Sequence, residues 1–168
     1  MALHTNAGCT INGQGSSGSI VTSNCDASAP NQANNQGCAI VDTRGSSYGD
    51  GFNINGGGVY AMEWTEWAIK IWFWPRNQVP ADVWGANPEP VNWGAPAGQF
   101  SGDCTINNFF KDHKIVFNID FCGNWAGNVW SATGCSNLAP TCVDYVAGQP
   151  GAFSNAYWSI NSLKVWSS

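Results

Sequence analysis

The sequence predicts a predominantly β domain, two packed sheets in a sandwich with two short helices. Three observations carry that expectation. Residues 69–74 and 115–121 alternate side chains with the two-residue period of a strand. Glycine, proline, serine and asparagine cut the chain into short apolar runs separated by turns. No internal repeat or extended low-complexity tract interrupts the pattern. At 168 residues the chain suits one domain with a real core.

Residues 17–23 and 38–43 are the first apolar runs, joined through the turn-rich stretch 26–36, and read as strands. The glycines at 56–58 mark a tight turn. Residues 59–64 and 68–74 then flank Thr65-Glu66-Trp67, which predicts a hairpin. In its second arm Ile69, Ile71 and Phe73 share one face and Lys70, Trp72 and Trp74 the other, so both faces need cover. Residues 75–100 form a long Pro/Gly/Asn-rich loop of a kind that is functional or packed by its own aromatics, here Trp84 and Trp93. Residues 105–112 predict one or two helical turns, with Asp103 or Thr105 as N-cap. Residues 115–121 are expected as a strand with Ile115, Phe117, Ile119 and Phe121 inward. Residues 141–147 predict a helix that stops at Gly148, and residues 156–166 a final strand.

Ten tryptophans against six basic and eleven acidic side chains is an unusual balance. Indole serves either a hydrophobic core or a groove that stacks sugar rings, and most of the ten, notably Trp64, Trp72, Trp158 and Trp166, are expected in the core. A net charge of −5 with scattered cations gives no footprint for nucleic acid or an anionic membrane. The longest dense apolar stretch, 68–74, is far shorter than the roughly 20 residues that span a bilayer. Seven cysteines point to disulfides, an oxidising compartment and a secreted, extracellular protein, with one thiol left over and the pairing open. Their spacing lacks the paired motifs of a zinc site, so no metal or other cofactor is expected. No apolar signal segment follows Met1.

Several segments resemble fungal family 16 glycoside hydrolases of the laminarinase type. They are Val59-Tyr60-Ala61-Met62-Glu63-Trp64-Thr65, Ile69-Lys70-Ile71-Trp72-Phe73-Trp74-Pro75-Arg76, Phe100-Ser101-Gly102-Asp103-Cys104, Phe121-Cys122-Gly123-Asn124-Trp125-Ala126-Gly127-Asn128-Val129-Trp130 and the run from Asn155 to Val165. They follow the family's order and spacing. Leu3-His4-Thr5 and Gly8-Cys9-Thr10 resemble the strand after the family's catalytic strand, so the likeness covers essentially the whole chain. It implies a concanavalin A-like jelly-roll β-sandwich, incomplete on its N-terminal side, and an endo-β-1,3(4)-glucanase that hydrolyses β-glucan with retention. Retention needs a carboxylate nucleophile and a carboxylic acid about 5–5.5 Å apart. The family signature for them, Glu-x-Asp-x-x-Glu, is absent, since the only glutamates are Glu63, Glu66 and Glu89. By the placement of Leu3-His4-Thr5 the motif belongs upstream of Met1. The expectation is therefore residues 1–168 as one partial domain, truncated at its front and inactive alone.

The resemblance implies no catalytic carboxylate here, but a set of substrate-binding candidates. His4 corresponds to the histidine beside the family's catalytic acids, and Trp125 to a tryptophan that lines the sugar cleft. Asn124, Asn128 and Trp130 could add hydrogen bonds or a second platform, and Asp120, opposite four apolar residues, could face a groove. Glu63 and Glu66 lie three apart around a turn, where their side chains diverge. His113, between Lys111 and Lys114 in sequence, is expected at the surface. The partners implied are β-glucan, or, without catalysis, a lectin-like sugar contact, self-association, or complementation by an N-terminal segment.

Overall fold

The computed structural model describes residues 1–167, which divide into two compact units, Met1–His113 and the chain from Lys114 onward. Strands in the first unit are β1 (Ala2–Leu3), β2 (Ser19–Thr22), β3 (Cys38–Val41), β4 (Gly58–Trp64), β5 (Ile69–Pro75) and β6 (Gly98–Phe100). They form two antiparallel three-stranded sheets, ordered β1-β3-β2 and β4-β5-β6. The expected hairpin is present, with Val59 opposite Trp74 and Trp64 opposite Ile69. Its turn is set by the Thr65 hydroxyl, which accepts from the amides of Trp67 (3.3 Å) and Ala68 (3.2 Å). At its other end Gly58 lies so close to the Trp74 carbonyl and the Phe73 ring that no Cβ fits.

The core of this unit lies among Ile11, Ile40, Ile69, Phe100, Ile106 and Phe110, together with Cys9, Cys25 and Cys38. Disulfides Cys9–Cys104 and Cys25–Cys38 resolve the pairing left open by the sequence, and the first joins residues 95 apart. The approach to β2 is stitched to that of β6, where Gly18 donates to Ala97 (3.1 Å) and the Gln99 amide to Ser16 Oγ (2.7 Å). Both faces of β5 are covered as expected: Ile69 and Phe73 are buried on one side and Trp72, 3% exposed, on the other. The cover over Trp72 is the stretch 76–97, folded into short 3-10 turns. Trp93 in it packs edge-on against Trp72 (5.2 Å) and Trp74 (5.3 Å), and Trp72 Nε1 donates to Gly94 O (3.0 Å). Asp82 accepts both the Glu89 amide and Trp93 Nε1 at 2.8 Å, and these bonds hold its carboxyl below the usual range.

One helix of this unit, α1 (Gly49–Ile54), was not expected from the sequence. Its glycine-rich segment is a poor helix former, so tertiary contacts must supply the stability: Phe52 meets Tyr60 (6.2 Å) and Phe73 (6.0 Å), and Tyr60 donates to the Ser47 carbonyl just before it. Beside it Arg44 grips Asp42 through the Nε and Nη2 edge of its guanidinium (2.6–3.1 Å), and its Nη1 donates to Phe73 O (2.9 Å). The second helix, α2 (Ile106–Phe109), lies where the sequence predicts it, with Thr105 at the N-cap position but without a side-chain capping bond.

The second unit holds α3 (Asn124–Val129) and α4 (Cys142–Gly148), with Cys122 bonded to Cys142 and Cys135 free. Helix α4 matches expectation, and Thr141 caps it by accepting from the Asp144 amide (3.1 Å). The strands expected at 115–121 and 156–166 are not formed, because neither segment finds a ladder partner among the described residues. Alternation alone cannot close a ladder. Nor are Ile115, Phe117, Ile119 and Phe121 inward: Phe117 is 50% exposed, and all four lie open. The two segments meet through side chains instead, with Trp158 Nε1 donating to Asn118 O (2.9 Å) and Phe117 edge-on to Trp158 (5.9 Å). The expected core role of Trp158 and Trp166 is therefore not realised, and in the first unit Trp64 is also exposed, on an edge strand. Of the four tryptophans assigned to the core, Trp72 alone is buried.

Candidate functional site

In the first unit the chain leaves β1 at Leu3, and His4 follows as an exposed residue whose Nε2 lies 3.0 Å from Asn35 O. Thr5 is fixed beside it by its backbone N–H, which donates to Cys25 O (2.8 Å), and by its carbonyl, which accepts from the Ala27 amide (2.9 Å). An open depression of about 340 Å³ is lined by His4, Thr5, Asn6, Ala27, Asn108 and Phe109. Apart from the imidazole this lining carries hydroxyl, amide and apolar groups, a set that suits a neutral polyhydroxylated ligand better than an anion.

The glutamates are placed away from any shared task. Glu63 sits opposite Lys70 across the hairpin and pairs with it at 2.8 Å, while Glu66 is exposed in the turn. Glu89 accepts from the Asn92 side chain (2.7 Å) within a 3-10 turn. Among the described residues no three His, Cys, Asp or Glu side chains converge as a metal site would require. His113 is exposed as expected, though its ring packs edge-on to Trp64 (5.5 Å) and against Phe110 (5.7 Å).

In the second unit Asn124, Trp125 and Asn128 all lie on α3, and Trp130 is its C-cap. Helical geometry brings Asn124 and Asn128 to one face and sets Trp125 three residues from Asn128. Trp125 is 76% exposed, leaving its indole open to stack an apolar sugar face. Just ahead of this helix the Cys122–Cys142 bond ties the chain to the start of α4. Trp130 is placed differently. Its Nε1 is committed to Ala139 O (2.9 Å), its ring leans on Tyr145 (5.8 Å), and it lines a second depression of about 200 Å³ with Cys122, Thr141 and Cys142. Asp120 is exposed and its carboxylate accepts weakly from the Asn118 amide group at 3.4 Å.

The structure thus brings Asn124, Trp125 and Asn128 together on one short helix, and puts Trp130 at its end. Sequence reasoning missed that helix, since 124–129 lacks an apolar 3.6-residue period and starts after a glycine. It also missed Asn35, whose backbone, not its side chain, meets His4. A signal was available: Asn35 and Gly37 flank one residue in a run where two left-handed backbone positions are favoured.

Comparison with known proteins agrees with the segments quoted above. The profile of the "XgeA-like, catalytic GH16 domain" family matches residues 1–166. An endo-1,3(4)-beta-glucanase of Arthroderma benhamiae is 50% identical over 169 residues, which is 98% of this chain and 37% of that protein. A probable glycosidase of Schizosaccharomyces pombe is 38% identical over 99% of this chain and 40% of its own length. Among solved structures, laminarinase 16A from Phanerochaete chrysosporium, with 6-O-glucosyl-laminaritriose in its donor and acceptor sites, is 40% identical with a TM-score of 0.82. That match covers 94% of this chain and 54% of the laminarinase. An elongating GH family 16 beta-1,3-glucosyltransferase is also 40% identical, with a TM-score of 0.71 over 79% of this chain and 43% of its own. This chain therefore spans between about a fifth and about half of the length of the proteins it is similar to.

Proposed function

The chain belongs to the XgeA-like GH16 catalytic-domain family, and from that premise we propose that it is the C-terminal portion of a secreted endo-β-1,3(4)-glucanase domain, contributing sugar-contacting residues but not the catalytic carboxylates. Its part is to bind and orient β-glucan. The observation that carries this reading is Trp125: an open indole on a helix that follows a disulfide anchor and also carries Asn124 and, three residues on from the indole, Asn128. Such a face stacks a pyranose ring while neighbouring amides hydrogen-bond its hydroxyls. His4 adds a second contact in the first unit.

Hydrolysis with retention requires a pair of carboxyl groups, one held as nucleophile and one as acid. The sequence contains no Glu-x-Asp-x-x-Glu, and its three glutamates lie in an ion pair, an exposed turn tip and a local turn bond. This chain by itself is therefore read as catalytically silent. Three disulfides in 168 residues support an oxidising, extracellular setting.

A reducing-sugar assay on laminarin tests the catalytic half of the reading. Turnover by these 168 residues alone would overturn it. Calorimetry with laminari-oligosaccharides tests the binding half, with Trp125→Ala expected to lose roughly tenfold in affinity, the scale of one aromatic contact. A second reading, complementation by an N-terminal segment or self-association, is favoured by the apolar residues left open at 115–121 and 156–166. Sedimentation that finds only monomer, with no activity gained on adding the upstream half of a family member, would remove it.

A further inference from the structure

We propose that the turn at residues 33–37 is a positioning device for His4: the Asn35 carbonyl holds the imidazole as its Nε2–H tautomer and leaves the Nδ1 lone pair to accept from a ligand hydroxyl. A carbonyl oxygen has no proton to give, so the 3.0 Å contact between Nε2 and Asn35 O exists only with the proton on Nε2. In the neutral ring Nδ1 then carries the lone pair, on a side chain that lines the 340 Å³ depression.

The turn is built to keep that carbonyl in place. Asn35 and Gly37 both adopt left-handed backbone, at φ 59° and 64°. The Asn35 amide donates to Ala27 O (2.8 Å), the Gln36 amide to Ala33 O (3.0 Å), and the Gln36 side chain accepts from the Ala33 amide (2.9 Å). Thr22 Oγ1 donates to Gly37 O (2.9 Å), and Cys38, bonded to Cys25, follows at once. Gly37 is pressed against β1: a Cβ there would overlap the Leu3 carbonyl and stand 2.8 Å from His4 Cδ2. The ring is thus held from one side by a close glycine and from another by a fixed acceptor, the arrangement by which outer groups set the tautomer of a working histidine.

Donors suited to Nδ1 are ligand hydroxyls, because the depression offers amide, hydroxyl and aromatic groups and, besides the imidazole, no ionisable side chain that would favour a charged ligand. That the donor is a β-glucan hydroxyl rests on the function proposed above.

The test is long-range 1H–15N correlation on the 15N-labelled chain. The expected result is a single His4 tautomer whose Nε2–H is visible and slow to exchange, unlike the N–H of an unconstrained exposed imidazole. Asn35→Gly, which tolerates positive φ, should keep that signal, and Asn35→Val, a β-branched residue that does not, should lose it. An Nδ1–H tautomer in the parent chain, or an Nε2–H that survives Asn35→Val unchanged, overturns the proposal. Laminaritriose is then added. A moved Nδ1 resonance is expected, whereas an unmoved one with Nε2–H intact discards β-glucan as the donor and leaves the role of the turn standing.

Discussion

The two compact units differ in what covers their apolar residues. In Met1–His113 two sheets and two disulfides surround a buried cluster, and Phe100 has no exposed surface at all. In the unit from Lys114 onward a single disulfide ties the chain just ahead of α3 to the start of α4, no ladder forms among the described residues, and Phe117 and Trp158 are 50% and 59% exposed. Hydrophobic content is similar in kind but differently employed. A strand buries its apolar face only when a neighbour takes up its backbone groups and a second layer covers its side chains. The first unit supplies both. The second supplies aromatic pairs instead, and its exposed indole is where sugar contact is proposed.

Four measurements sharpen or break this contrast, in order of effect. Replacing both Cys9 and Cys104 with serine frees a 95-residue span, and denaturant unfolding should report a loss of about 4–5 kcal/mol in the first unit. A loss under about 1 kcal/mol would mean that the core holds without its cross-link. Phe100→Ala should cost about 3–5 kcal/mol, as expected for a fully buried aromatic, against less than about 1 kcal/mol for Phe117→Ala. Equal losses at the two positions would contradict the exposed state of 115–121.

The third measurement follows pH. Burial pushes the Asp42 carboxyl up, but the hydrogen bonds and charge of Arg44 outweigh it and hold the group below its ordinary value. A depressed folded pKa contributes stability that is present above the unfolded value near about 3.9 and is lost as pH falls through the folded one. Thermal melts of the parent should therefore fall on acidification below about pH 4 more steeply than those of Asp42→Asn. Identical slopes would show the Arg44 grip to be thermodynamically idle. The smallest effect belongs to Glu63 and Lys70, partly exposed across the hairpin, where Lys70→Met in a double-mutant cycle with Glu63→Gln should give a coupling of about 0.2–1 kcal/mol. A larger coupling would mark the hairpin surface as drier than its exposure implies.

Much of the fold was legible because its signals are local. Thr65-Glu66-Trp67 between two β-rich arms specified the hairpin, and Thr141 followed by Gly148 specified α4, since turn chemistry and capping act within a few residues. Helices α1 and α3 were not legible, because their segments lack an apolar period and owe their form to contacts elsewhere, Phe73 and Tyr60 for α1 and a neighbouring disulfide for α3. Of the candidate site, residue types such as Trp125 and His4 could be named from the segments that resemble the family. Their environments could not.

The sequence by itself determined the family, the β-rich pattern, the cysteine chemistry and the absence of Glu-x-Asp-x-x-Glu, because each is a property of residue type and order. Tertiary structure decided which alternating segments become strands, which cysteines pair, which tryptophans are buried, and which nitrogen of His4 faces a carbonyl. Those outcomes depend on groups far apart in the chain. A period of two says that a segment has two faces, and only the rest of the fold says whether anything lies against them.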